Sequence, residues 1–413
     1  MNHGKEWILD TQISNFLKIL RRIFDSQKEL LLEEPVDWAF LSNTARKQNL
    51  LPLFFEVAVM LEGYQNSKVY EKDQLDTFAM VTAQIQRSNA FVEIYKKITA
   101  HGIFPIVMKG IVCRQLYGEL GEHRPSGDED ILVKVKDFRK VREILEQEHY
   151  VCSVPDITEK ELEHIQEVSF YNPEQMLNIE VHTNIIGNES DERVRMNRLF
   201  QNVHEHGLII PLYDVDIKVL APTESLLFLI LHAYKHFQNR GVGIRQVIDI
   251  MLYYREYEHE IAMGNLRNAL RVCKAESFWM DLLYIGNKYL GLYEGKPEWS
   301  CNPEELLQDM IRAGVFGGRD KADHIAANVN LAAEDGSGRQ GKLYTLFRAV
   351  FPTKRVLITG YPYLKEKPWL LSVVWVKRWI KFVRYTGKDV WKLSSEILQK
   401  SSARREIIKK YKR

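Results

Sequence analysis

Residues 123–135 read HRPSGDEDILVKV. An Arg-Pro-Ser-Gly segment leads into consecutive carboxylates, Asp128, Glu129 and Asp130, which open onto the apolar run Ile131 to Val133. Aspartate is a poor strand former, so acids at the mouth of a strand need a reason other than propensity. Residues i and i+2 of a strand share a face. Asp128 and Asp130 would therefore aim together, with Cα atoms about 7 Å apart. Like charges so placed repel, and a divalent cation removes the penalty because hard cations take carboxylate oxygen. Taken alone, the pair also fits an edge strand whose acids are simply solvated.

The flanking sequence gives the pair a context. IFPIVMKG (103–110) is a short apolar strand pattern and IVCRQLYGEL fits a helix. EDILVKV (129–135) is a strand, and KDFRKVREILEQEHY a helix. EVSFYNPEQMLNIEVHTNI (167–185) reads as two strands about an Asn-Pro turn. This alternation defines an α/β module over 103–215. Glu180 lies between Ile179 and Val181, so it projects to the face opposite its apolar neighbours. A third carboxylate there would complete a two-metal site. His182 shares that face and fits either a satisfied structural histidine or one that hydrogen-bonds a phosphate or a group supporting the site.

Residues 1–102 carry apolar positions at helical spacing, with Pro52 marking a break, and 216–413 turns helical again. The expected fold class is therefore α+β, an α/β module flanked by N-terminal and C-terminal helical regions. The chain is long enough, at 413 residues, for two or three domains. With 57 Lys and Arg against 55 Asp and Glu, its net charge of +2 demands neither nucleic acid nor a membrane. Cys113, Cys152, Cys273 and Cys301 are too scattered for a zinc or disulfide pattern and read as the reduced thiols of a cytoplasmic protein. The opening MNHGKEWILDTQ has no apolar stretch of the kind a signal peptide needs, so none is expected.

Three segments together, VMKG (Val107 to Gly110), RPSGDEDILV (Arg124 to Val133) and IEVH (Ile179 to His182), give the chain a likeness. It resembles the nucleotidyltransferase superfamily with the DNA polymerase β-type palm, and within it the bacterial family of uncharacterised nucleotidyltransferases. The resemblance implies a catalytic and metal-binding set of Asp128, Asp130 and Glu180, holding two Mg²⁺ ions, with Mn²⁺ as the alternative. Glu180 would hold the metal on the nucleophile side and take the acceptor's proton. Lys109, Gly110, Arg124, Ser126 and Gly127 would meet the triphosphate, and for Lys109 and Arg124 a surface salt bridge to the same acids is the other reading. The implied reaction moves a nucleoside monophosphate from a triphosphate, ATP among them, to a hydroxyl on a small molecule, protein or glycan precursor, releasing pyrophosphate. The alternatives are a catalytically silent nucleotide- or metal-binding regulator and a membrane-associated interaction protein that uses the basic C-terminal tail. Two departures stand out. Glu129 occupies a position the family fills with an apolar residue, so that strand face is expected to be less buried than usual. Lys109-Gly110 replaces the commoner Gly-Ser.

Other segments bear on function. His232 and His236 share a helical face, as do Arg245 and Asp249, which are placed to pair. The histidines read first as packing against the module and second as a wall of the nucleotide pocket. GSGRQGKL (336–343) approaches a P-loop, but Leu343 stands where a Ser or Thr would hold Mg²⁺, so a flexible loop is expected. The end of the chain, 368–413, is basic and aromatic, which fits peripheral membrane contact or a helix closing a core.

Overall fold

The computed structural model describes residues 10–25, 30–187, 191–239, 241–295, 301–314 and 368–377, together with Leu357, Arg404 and residues 406–411. A seven-stranded mixed sheet runs in the order β3-β4-β5-β2-β1-β7-β6. Its strands are β1 (Ile106–Val107), β2 (Asp128–Leu132), β3 (Val151–Cys152), β4 (Glu167–Asn172), β5 (Leu177–His182), β6 (Leu208–Leu212) and β7 (Val215–Val219). The sheet thus runs to Val219, a few residues past the expected module limit, because β7 pairs parallel with β1. β2 lies between β1, antiparallel, and β5, parallel. The β4–β5 register is set by a turn in which the Asn172 side chain accepts the Glu174 and Gln175 N–H groups, a competence that suits Asn to turns.

Strand alternation sends the apolar set one way. Ile131 and Val133 from β2 and its end, Ile179 and Val181 from β5, and Val168 and Phe170 from β4 share a core. Two helices supply its other half, α4 (Tyr70–Thr99), through Phe91, Ile94, Tyr95 and Ile98, and α6 (Val135–Gln147), through Phe138, Val141, Ile144 and Leu145. Ahead of them, α1 (Thr11–Phe24) is capped by Asp10, which accepts the Gln12 and Ile13 N–H groups. The helices α2 (Trp38–Lys47) and α3 (Leu51–Ala58) follow, with Pro52 in the first turn of α3, where its missing N–H costs nothing. The short α5 (Ile111–Gln115) follows β1, and α7 (Glu159–Leu162), α8 (Asp191–Asn197) and α9 (Val203–His206) connect the later strands.

The other sheet face carries the acids and meets α10 (Pro222–Asn239), through His232 beside Lys109 and Lys235 beside Glu167. The C-terminal half continues with α11 (Ile244–Tyr257), α12 (Met263–Val272), α13 (Glu276–Ile285) and α14 (Pro303–Ala313). Their apolar sides join those of α1 and α3 and the inward Leu132 in one larger core.

One expectation is corrected. The face of β2 that carries Glu129 is not less buried, since Glu129 is 1% exposed. Its charge is met by Arg114 of α5 at 2.6 Å, so an acid can occupy a core position without an orphaned charge. All four cysteines hold free thiols. Among the described residues no helix is long and apolar enough to cross a membrane. The 336–343 stretch and 378–403 of the basic end lie outside the described residues. Within that end, Trp369 is exposed, whereas Ile407, Ile408 and Tyr411 are buried in the larger core.

Candidate functional site

The parallel pairing of β2 with β5 places Asp130 directly opposite Glu180 and Leu132 opposite His182. One ligand atom each from Asp130, Glu180 and His182 lie within 4.8 Å of one another, and among the described residues this is the one such group. Asp128 stands on the same face at the strand's entrance, outside that group and more exposed. His182 is fully buried with Nε2 3.2 Å from Asp130 Oδ1. The second carboxylate oxygen of Asp130, Oδ2, is buried and accepts no hydrogen bond. Its nearest positive group is the Lys109 ammonium at 3.4 Å, and a cation bound between Asp130 and Glu180 would meet the carboxylate directly. The donor set therefore fits a divalent ion.

The electrostatics of the ion-free site follow from crowding. Glu180 is pushed up to about 9 by burial first, then by Asp130, Glu167 and Asp128. Burial would raise Asp130 too, but the Lys109 ammonium and the His182 ring outweigh it and hold that carboxyl well below its usual range. Lys109 is the counter-charge. The Met108 N–H donates to the Asp130 carbonyl at 2.9 Å, prolonging the β1–β2 pairing. That brings the Lys109 Nζ to 3.6 Å from Asp128 Oδ2, 3.4 Å from Asp130 Oδ2 and 3.3 Å from His232 Nε2. Burial works against its charge, yet the three site carboxylates keep Lys109 above its ordinary pKa.

The loop that carries Lys109 is held from behind. Gly110 has φ +70°, and a Cβ there would sit 1.9 Å from Glu129 Oε2, so only glycine fits. The same Oε2 accepts the Ile111 N–H at 2.7 Å at the start of α5, and Oε1 accepts from Arg114. Arg114 also donates to the Ser126 hydroxyl at 2.5 Å. The Ser126 backbone is fixed in turn, its N–H donating to Gln84 and its carbonyl accepting from Arg87. Ser126 is thus part of a buried brace beneath β2, while a Cβ at Gly127 would meet nothing within 4 Å.

Arg124 is fully buried and grips Asp249 with two bonds, Nε to Oδ1 at 2.7 Å and Nη2 to Oδ2 at 2.6 Å. Tyr117 adds a hydroxyl donor to Asp249 at 2.7 Å. The expected Arg245–Asp249 pairing gives way to this one, since Arg124 takes both Asp249 oxygens in a bidentate fork and Tyr117 adds a third donor. Arg245 donates to the Pro125 carbonyl instead. Arg124 therefore ties β2's lead-in segment to α11.

The α10 helix forms a wall over the acids. His232 and His236 meet with Nε2 atoms 2.9 Å apart. Burial and the nearby Lys109 lower both, His236 to about 4 and His232 well below its usual value, so both rings are neutral near pH 7. Sequence reasoning missed Glu167. It pairs opposite His182 on β4, with Oε2 3.7 Å from His182 Nε2 and 3.9 Å from Lys235. Its signal was the Glu167-Ser169-Tyr171 alternation against buried Val168, Phe170 and Asn172.

No curated protein and no solved structure matches the chain. The family model described as uncharacterised nucleotidyltransferase matches residues 34–291. That span contains the entire sheet, the carboxylate site and the α10 wall, and the chain belongs to this nucleotidyltransferase family.

Proposed function

We propose that the protein is a divalent-metal-dependent nucleotidyltransferase that moves a nucleoside monophosphate from a nucleoside triphosphate to a hydroxyl acceptor, with pyrophosphate leaving. The observation that carries this reading is the opposed pair Asp130 and Glu180 on adjacent parallel strands, with Asp128 on the same face and a buried Asp130 oxygen that makes no hydrogen bond and lies 3.4 Å from the Lys109 ammonium. A bound divalent ion would neutralise charge growing on the phosphate oxygens and align the attacking and leaving groups. Asp130 and Glu180 are its holders, and Asp128 extends the acidic face toward the entrance. The Glu180 carboxylate is the group to receive the acceptor's proton as the hydroxyl attacks. Lys109, whose ammonium already lies among the acids, would turn to the triphosphate oxygens once an ion takes over their charge. The open backbone at Gly127 would let a phosphate approach closely. Arg124 and Ser126 act at one remove, by bracing the segment that delivers β2.

The test is pyrophosphate release from each nucleoside triphosphate in the presence of Mg²⁺ or Mn²⁺ and a panel of hydroxyl acceptors, including the protein itself. Asp130→Asn should lower the rate by at least about 100-fold while melting as a folded protein. Undiminished release by that variant would remove the site from the mechanism. Triphosphate binding with no release under any condition would favour the regulator reading.

A further inference from the structure

The inner end of the site is drier, and chemically softer, than three carboxylates would make it. His182 lies one side-chain repeat beyond Glu180 along β5 and, like Asp130, is fully buried. Its Nε2 stands 3.2 Å from Asp130 Oδ1. Two neighbouring ligands on an octahedral ion with bonds of about 2.1 Å lie about 3 Å apart, so this spacing suits adjacent positions on one ion. Asp130 Oδ2 makes no hydrogen bond and lies 3.4 Å from the Lys109 ammonium, the positive charge that an ion here would displace. Ligation would take the tautomer protonated at Nδ1, which exchanges the Nε2–Asp130 hydrogen bond for the metal bond and disturbs no bond at Nδ1.

We infer that this inner position takes a first-row transition dication, Mn²⁺ in preference to Mg²⁺, with His182 Nε2 as a direct ligand beside Asp130 and Glu180. Mg²⁺ gives up its water reluctantly and is usually held by one or two carboxylates with several waters kept. A buried pocket that offers one imidazole and two carboxylates asks it to lose that water for a nitrogen donor it does not favour. Imidazole suits first-row transition dications, and Mn²⁺ is the one among them that also favours carboxylate oxygen, so it is the one that fits two carboxylates beside a single ring. The carboxylates of Asp128, Asp130 and Glu180 against the Lys109 ammonium leave two net negative charges, which one dication balances. The inference rests on the metal-dependent reading above and goes further by naming the class of metal and a ligand outside the carboxylate set.

Calorimetry on the full chain without nucleotide, with Mn²⁺ and with Mg²⁺, tests it together with electron spin-echo modulation of bound Mn²⁺. Mn²⁺ should bind at least about tenfold more tightly than Mg²⁺, and the modulation should contain one directly coordinated nitrogen. His182→Gln should lose both the nitrogen signal and the preference while its Mg²⁺ affinity stays. Equal affinities, or tight Mn²⁺ with no coordinated nitrogen, would overturn the inference and leave the metal-dependent reading in place. Binding of neither ion would overturn both. The spin-echo measurement on the unmodified protein decides the ligand question even where the variant fails to fold.

Discussion

Glu180 faces Asp130 across the β2–β5 pair, and the two carboxyls are driven in opposite directions. Glu180 rises from 4.5 to about 9 through burial and the acids around it. A carboxyl raised in the folded state contributes stability that is fully present below its unfolded value and is lost as pH climbs through the folded one. For Glu180 the ion-free protein should therefore lose stability between about pH 4.5 and about 9. Asp130 is lowered, so its contribution is present above 3.8 and disappears as pH falls through its folded value. Glu180→Gln should flatten the alkaline decline and raise Tm at about pH 9 in the presence of chelator. A melting series across pH checks this, and an unchanged slope would mean that Glu180 titrates as an ordinary acid. At this scale the acids themselves were legible, because a period of two and an acid inside an apolar run are local signals. Their partners were not. Arg124 finds Asp249 at a separation of 125 residues, and no local pattern announces such a pairing.

Between β2 and α5 the connection is a buried ion pair rather than an apolar contact. Glu129 accepts from Ile111 N and from Arg114, and its carboxylate fills the space a Cβ at Gly110 would need. The pair sets where α5 begins and hence where Lys109 is presented. Breaking one side of a buried pair leaves the other charge stranded, at about 3–5 kcal/mol, whereas replacing both with apolar groups of similar volume is often close to neutral. Glu129→Leu should therefore cost roughly 3–5 kcal/mol in denaturant unfolding, and Glu129→Leu with Arg114→Met should recover most of it. Equal losses in the single and double variants would place the cost in packing and not in the charge. The departure from an apolar residue was visible in the sequence, but its consequence was misjudged, because burial depends on whether a counter-charge is supplied from another element. The β4–β5 hairpin was readable from its alternation and turn chemistry. The β6–β7 hairpin was not, since Pro211 and the exposed Leu208 and Ile209 on an edge strand blur the period.

Across the whole molecule, the N-terminal helices and the last described residues belong to a single apolar core. Phe16, Leu20 and Phe54 share that core with residues of α10 to α14 and with Ile407, Ile408 and Tyr411. Tyr411 lies edge-on to Phe237 and Phe278, with ring centroids 5.3 and 6.1 Å away. Its hydroxyl donates to Asp281 Oδ2 at 2.6 Å, and the buried Asp281 also accepts the Asn302 N–H at the start of α14. Arg404 donates to the Phe237 carbonyl at 2.8 Å. The basic and aromatic composition of the end admitted a lipid-facing helix as well as a core-closing one. For residues 406–411 the distinction lies in contacts with α10 and α13, which a helical period alone does not encode. These contacts make the end part of the fold's stability. Tyr411→Phe keeps the ring and removes one donor from a buried carboxylate, at a cost of about 1–3 kcal/mol. A chain stopped before Arg404 should lose considerably more, because it uncovers Phe237 and Phe278 as well. Since the same core reaches α1, both variants should still unfold in one transition, shifted to lower denaturant. The measurement is unfolding followed separately by tryptophan fluorescence and by far-ultraviolet circular dichroism. An unshifted midpoint in the truncated chain would show that the end is not part of the core, and two separated transitions would show that the terminal helices fold apart from the sheet.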